Sequence, residues 1–102
     1  LMFHHIVLYK LKPNISAAQL EVIMMQTRIQ LLKISVAANV RCGRRTDKSN
    51  PWGFFISVDF DSKERLRIFE EDPFYIKFVE EIIKPNMAES LVLDFDGDPK
   101  PK

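Results

Sequence analysis

Asp72-Pro73-Phe74-Tyr75-Ile76-Lys77-Phe78-Val79-Glu80-Glu81-Ile82-Ile83-Lys84-Pro85, and after it Leu91-Val92-Leu93-Asp94-Phe95-Asp96, read as a helix followed by a terminal strand. Asp72 is suited to cap the helix, and Pro73 fits its first turn, where the missing N–H would have no partner anyway. Tyr75, Ile76, Val79, Ile82 and Ile83 recur at helical spacing and form one apolar stripe, and Pro85 reads as the stop. The segment beyond it is rich in β-formers, so Glu89 to Asp96 is expected to be a strand.

Working outward, Ser62 caps a short helix holding Leu66 and Phe69, which Asp72-Pro73 interrupts. Before it, Trp52 to Asp61 alternates Phe54, Ile56, Val58 and Phe60 against Phe55, Ser57, Asp59 and Asp61, the period of a strand. Thr46 to Pro51 is a polar turn-forming loop. Val36 to Arg45 reads as another strand, with Gly43 marking a bulge or a close backbone approach. Ser16-Ala17-Ala18-Gln19 is a capping box, so a helix is expected to run from there to about Lys33. Its first stripe is Leu20, Ile23, Met24, Thr27 and Leu31. A second stripe of Val22, Met25, Ile29 and Leu32 lies nearly opposite, where a helix packed on one sheet needs no apolar residues. Either loops or a neighbouring helix of the same chain cover that second stripe, or it is a subunit contact leading beyond a dimer. His5 to Lys12 completes the set as the first strand.

The order is β-α-β-β-α-β, an α+β ferredoxin-like pattern: a four-stranded antiparallel sheet with helices on one face. Alternation in the first strand puts His5, Val7, Tyr9 and Leu11 on one side, and His4, Ile6, Leu8 and Lys10 on the other. Both sides are largely apolar. The helix-free side, with His4, Ile6, Leu8, Phe55 and alternate residues of the last strand, would be an aggregation hazard if bare. A face-to-face homodimer covers it.

The 102 residues are expected to form one domain, with a core from about 4 to 96 and a flexible tail over 97–102. Hydrophobic residues make up 46% and charged residues 28%, which excludes general disorder. A net charge of +1 gives no drive toward nucleic acid or anionic membranes, and the apolar runs are too short to span a bilayer. No nucleic-acid or membrane partner is therefore expected. Cys42 is the single cysteine and has no intramolecular disulfide partner. That fits a reducing compartment, and the start lacks the basic region and long apolar core of a signal peptide, so a cytoplasmic location is expected.

Individual chemistry-bearing residues give weaker signals. His4 and His5 point to opposite sides of a strand and cannot chelate one metal together, so no metal site is expected. Arg41, Arg44, Arg45 and Lys48 form the densest basic cluster and suit surface ion pairs or a small anion. Asp59 with Asp61, Glu70-Glu71-Asp72 and Glu80-Glu81 read as solvated carboxylates. Cys42 reads as a core thiol, since no histidine pairs with it. No Gly-rich phosphate loop, nucleophile elbow or CxxC is present in the sequence.

His5-Ile6-Val7-Leu8-Tyr9-Lys10-Leu11-Lys12-Pro13, Lys33-Ile34, Gly43-Arg44, Trp52-Gly53, Val58-Asp59-Phe60-Asp61-Ser62, Asp72-Pro73, Phe78-Val79, Lys84-Pro85 and Leu91-Val92-Leu93-Asp94-Phe95 occur in an order and spacing that resembles the stress-responsive dimeric α/β-barrel (Dabb) family. The resemblance spans roughly His5 to Asp96. It implies a homodimer whose two sheets close into a dimeric α/β barrel with the helices outside, and it implies no cofactor. One plant member of the family is a cofactor-free polyketide cyclase with a pocket between sheet and helices. Its first-strand histidine corresponds to His5, its base histidine to Tyr75 and its tyrosine to Phe69. A phenol with a pKa near 10 is a poor base at neutral pH, so the resemblance does not carry that chemistry across. Where the family has a Pro-Gly turn after Lys-Ile, this chain has Ser35-Val36, so the start of the second strand is expected to differ.

Two functional readings follow. One is a stress-response-type homodimer of no assigned activity, whose pocket binds a small apolar ligand lined by His5, Val7, Tyr9, Trp52, Phe69, Tyr75 and Phe78. The alternative is a cofactor-independent enzyme acting on a small aromatic or polyketide-like substrate, with His5 orienting or polarising it, Tyr75 acting as hydrogen-bond donor or acid, and Trp52, Phe69 and Phe78 forming the walls.

Overall fold

In this computed structural model, which describes residues 2–98, strand β1 (Phe3–Leu11) leads through helix α1 (Ala17–Leu31) to β2 (Ala38–Arg44) and β3 (Phe54–Phe60). Helices α2 (Lys63–Glu71) and α3 (Pro73–Phe78) follow. A π-helical turn over Val79–Ile83 and a short turn over Lys84–Asn86 then join α3 to β4 (Met87–Asp96). The sheet is antiparallel throughout, in the order β2-β3-β1-β4. This is the ferredoxin-like arrangement. Residues 99–102 of the expected tail lie outside the described residues.

The core lies between the sheet and the helices. Phe3, His5, Val7 and Tyr9 of β1 and Phe54, Ile56, Val58 and Phe60 of β3 are buried on one face, each opposite its partner in the register. Leu20, Ile23, Met24, Thr27 and Leu31 of α1 are buried against them, along with Phe69 and Phe78. The α1 capping box forms: the Ser16 amide donates to Gln19 Oε1 at 2.7 Å, and the Gln19 amide to Ser16 Oγ at 3.1 Å. Asp72 ends α2 and caps α3, accepting from the Phe74 amide at 2.8 Å. The second stripe of α1 remains exposed, Leu32 at 70%.

Three local features differ from the sequence reading. The strand irregularity in β2 falls between Ala38 and Arg41, where Asn39 has φ 50°, and not at Gly43. Asparagine tolerates this left-handed conformation better than most residues. Gly43 is the other of the two expected cases, a close approach: a Cβ there would lie 2.6 Å from Phe55 Cε1. Pro85 does not end the helical segment where expected. The Lys84 amide bonds back to the Val79 carbonyl, one residue further than in an α-helix. The widened turn relieves the clash a proline ring makes with the preceding turn of a regular helix. Asn86 Nδ2 then donates to the Ile82 carbonyl at 2.7 Å, and β4 starts at Met87, earlier than the expected Glu89.

The helix-free face carries His4, Ile6 and Leu8 of β1, Phe55 of β3, and Leu91, Leu93 and Phe95 of β4, brought side by side by the register. Phe95 is 53% exposed. On the helix side of β4, Ser90, Val92, Asp94 and Asp96 are exposed, so the helical layer stops short of this edge.

Candidate functional site

Strand pairing sets His5 of β1 opposite Asp94 of β4 on the helix side. Their side chains meet, with His5 Nδ1 2.6 Å from Asp94 Oδ1. An ionised carboxylate only accepts, so Nδ1 is the ring nitrogen that donates to it. His5 is 5% exposed. Among the described residues no buried side-chain nitrogen or oxygen lacks a partner, so His5 Nε2, which makes no hydrogen bond, still reaches accessible space. Asp94 is about half exposed and lies on the wall of a cleft of about 380 Å³, together with Phe3, Lys63, Leu66, Phe95 and Asp96. The cleft therefore combines apolar walls, one cation (Lys63) and two carboxylates, Asp96 and the Asp94 carboxylate backed by a buried imidazole.

Deeper under the helices the space is filled by rings. The His5 ring meets Phe60 edge-on at 6.3 Å; Phe60 meets Phe69 at 5.1 Å; Phe69 meets Tyr75 at 4.5 Å; and Tyr75 meets Phe78 at 6.4 Å. Tyr9 lies beside Phe54 at 5.7 Å. These contacts bring His5, Phe69, Tyr75 and Phe78 into one continuous run, with Val7 and Tyr9 buried in the same core. Burial pushes the Tyr75 phenol up, and nearby Glu70 pushes it further. Burial also raises the Tyr9 phenol, with Tyr75 adding to the effect. Both phenols are protonated at neutral pH and can donate a hydrogen bond.

Trp52 is not part of this run. It sits at the far end of the sheet with Lys10 Nζ 4.9 Å from its ring centroid, beside Leu8 and Phe55 of the helix-free face. Cys42 is a half-buried thiol 3.7 Å from the Met24 carbonyl oxygen, and burial raises its pKa against the lowering pull of Arg28. Among the described residues, no three His, Cys, Asp or Glu side chains converge as a metal site.

Asp59 corrects the expectation of a solvated carboxylate. It is 6% exposed, on the helix-free face. It is held by His4 Nδ1 at 2.5 Å and by Asn39 Nδ2 at 2.8 Å. The left-handed backbone at Asn39 is part of the bulge that carries this amide toward the carboxylate. Asp61, two residues on, is exposed and lies 3.9 Å from Arg65. Adjacent His4 and His5 thus each pair with an aspartate of a different neighbouring strand, on opposite faces of the sheet. Sequence alternation gave the faces, but not the strand pairing that selects the two aspartates.

Residues 3–96 match the family described as the stress responsive A/B barrel domain, Dabb. The chain belongs to this family. No curated protein sequence matches it significantly. Among solved structures, this Dabb domain is similar to a Dabb family protein with a ferredoxin-like fold from Mesorhizobium loti. The two share 18% identity over 94% of this chain and 96% of that one, with a TM-score of 0.82. It is similar to a dimeric ferredoxin-like protein of unknown function from Thermobifida fusca at 19% identity, covering 92% and 89%, with a TM-score of 0.81. A hydroxynitrile lyase from Passiflora edulis shares 18% identity over 98% and 97%, with a TM-score of 0.80. At such identities the likeness establishes the fold of the Dabb domain alone. No helix among its described residues is long and apolar enough to cross a membrane.

Proposed function

We propose that this protein is a homodimer, closed through its helix-free sheet face, that binds a small, largely apolar molecule in the cleft between α2 and the end of β4. The observation that carries the ligand reading is the Asp94 carboxylate on the cleft wall, with the buried His5 bonded behind it at 2.6 Å. A few convergent polar groups in an apolar cleft of roughly 300–1,000 Å³ are what small-molecule sites have in common. Lys63 and Asp94 supply a donor and an acceptor, and Phe3 and Leu66 supply the walls. The aromatic run through Phe69, Tyr75 and Phe78 fills the space behind the site, so the ligand lies at its mouth. Pairing of two sheets would remove Ile6, Leu8, Phe55, Leu91, Leu93 and Phe95 from water, and several similar structures are described as dimeric. The lone thiol suits a reducing compartment such as the cytoplasm.

The test is a titration with acetophenone, a small neutral aromatic ketone, followed by amide NMR shifts. Shifts at Lys63, Asp94 and Phe95 that vanish in Asp94→Asn support the reading. Shifts elsewhere, or none at millimolar probe, count against it.

A second reading is cofactor-independent catalysis, favoured by the His5–Asp94 pair itself. A carboxylate that fixes the imidazole tautomer leaves Nε2 as a base. One protein of similar fold is a hydroxynitrile lyase. Aldehyde release from an aromatic hydroxynitrile, lost in both His5→Phe and Asp94→Asn, would favour this reading; a rate equal to the buffer rate would exclude that reaction.

Assembly beyond the dimer, if it forms, uses the exposed α1 stripe of Val22, Met25, Ile29 and Leu32. Ile29→Glu is then expected to lower the solution mass of the assembly with the far-UV spectrum unchanged.

A further inference from the structure

At the opposite end of β1 from Asp94 lies a larger cleft of about 480 Å³, enclosed by the end of β1, the end of β2, the loop after it and the start of α1. Its floor is apolar: Leu11, Ile15 and Leu20. Leu11 packs closely over Gly53, where a Cβ would come within 2.8 Å of Leu11 Cδ1. Its rim is cationic, with Arg44, Arg45 and Lys48 on it and no carboxylate among the lining residues.

The three cations are not equivalent. Arg44 is engaged by Glu21 of α1. Arg45 donates through Nη1 to the Asn50 carbonyl at 2.9 Å, and its amide is tied to the Gly53 carbonyl at 3.1 Å. Its guanidinium is therefore held in place by the loop while its other N–H donors remain available. Lys48 has no carboxylate partner among the described residues. Ser16 at the helix start is already committed to its capping box, so the charge in this cleft comes from the loop side chains. With a net charge of only +1 on the whole chain, the concentration of cations here is local. Leu20 of α1 places its floor on the helix side of the sheet, while Arg44 and Arg45 also border a cleft beside Leu8 and Phe55 of the helix-free face.

We propose that this cleft is a second ligand site, for a small amphiphilic anion: an acidic headgroup held by Arg45 and Lys48, and an aliphatic body lying along Leu11, Ile15 and Leu20. An apolar floor alone would accept neutral molecules, and a cationic rim alone would accept any anion. Their juxtaposition selects molecules that carry both features.

The experiment is calorimetric titration of the full chain with octanoate below its micelle concentration, in parallel with acetate, inorganic phosphate and octan-1-ol. Octanoate is expected to bind at least tenfold tighter than each of the other three. Removing charge-assisted hydrogen bonds typically weakens binding by about tenfold or more each, so R45A/K48A is expected to lose at least that factor. Lys48→Ala, which leaves the Arg45–Asn50 contact in place, should show part of the loss even if the double variant perturbs the loop. Lys63→Ala and Asp94→Asn, at the α2–β4 cleft, should leave octanoate binding unchanged. Octanoate binding no tighter than acetate or octan-1-ol would overturn the proposal. Binding unaffected by Lys48→Ala and R45A/K48A, or abolished by Asp94→Asn, would overturn it as well.

Discussion

Replacing Phe69 with alanine removes the central ring of the aromatic run between sheet and helices. Phe69 is 2% exposed, with Phe60 at 5.1 Å on one side and Tyr75 at 4.5 Å on the other. Truncating a buried phenylalanine costs about 3–5 kcal/mol, from lost transfer free energy and the cavity left behind. Each aromatic pair adds about 0.5–1.5 kcal/mol beyond the area it buries, which places this site at the upper end of that range. A domain of this size commonly holds about 5–15 kcal/mol in all, so Phe69→Ala is expected to lose a large share of its stability. At about 4–8 °C per kcal/mol, the unfolding midpoint falls by roughly 20 °C or more. Urea unfolding followed by circular dichroism measures the loss, at one fixed protein concentration because a dimer's stability depends on it. Phe69→Leu, which keeps much of the volume, should cost far less, and benzene should restore part of the loss in the alanine variant by filling a dry apolar cavity. A loss below about 1 kcal/mol would refute the reasoning, because it would mean that the ring borders open space and not packed neighbours.

Two further outcomes follow from the same geometry. The Tyr9 and Tyr75 phenols have raised pKa values in the folded state, so their contribution to stability is complete below the unfolded value near 10 and is lost as pH rises above it. Stability should therefore fall above about pH 10, and Tyr9→Phe should flatten that fall; an equally steep fall in the variant, with phenolate absorbance appearing at the ordinary pH, would contradict the burial argument. Asp59→Ala strands His4 and Asn39 and should cost about 1–3 kcal/mol, while Asp61→Ala, at an exposed ion pair, should change stability by well under 1 kcal/mol. Equal small effects at the two positions would show that the Asp59 network adds nothing.

The elements were legible in the sequence because each carried its own local signal. The Ser16–Gln19 capping box, the Asp72-Pro73 start and the strict alternation in β1 and β3 are decided within a few residues. The site was less legible, because it depends on which strands become neighbours. Nothing local to His5 indicates that β4 will bring Asp94 against it, and nothing local to Asp59 indicates that His4 and Asn39 will bury it. Which of the two alternatives holds at Gly43, bulge or close approach, depends on the neighbouring strand in the same way. Gly43 looks like the weak point of the strand, but its missing side chain answers the Phe55 ring across the sheet, while Asn39 takes the left-handed turn. Trp52 is expected among the pocket-lining residues with His5 and Phe69, whereas the loop before β3 delivers it beside Lys10 and Phe55.

The central claim is that the helix-free sheet face, with Ile6, Leu8, Phe55, Leu91, Leu93 and Phe95, closes against a second copy of the chain. Light scattering on the purified protein tests it directly. The expected solution mass is twice the 11.9 kDa of the chain, falling to that of a folded single chain in Leu93→Glu. A wild-type protein that stays at the mass of one chain at micromolar concentration, soluble and folded, would contradict the account.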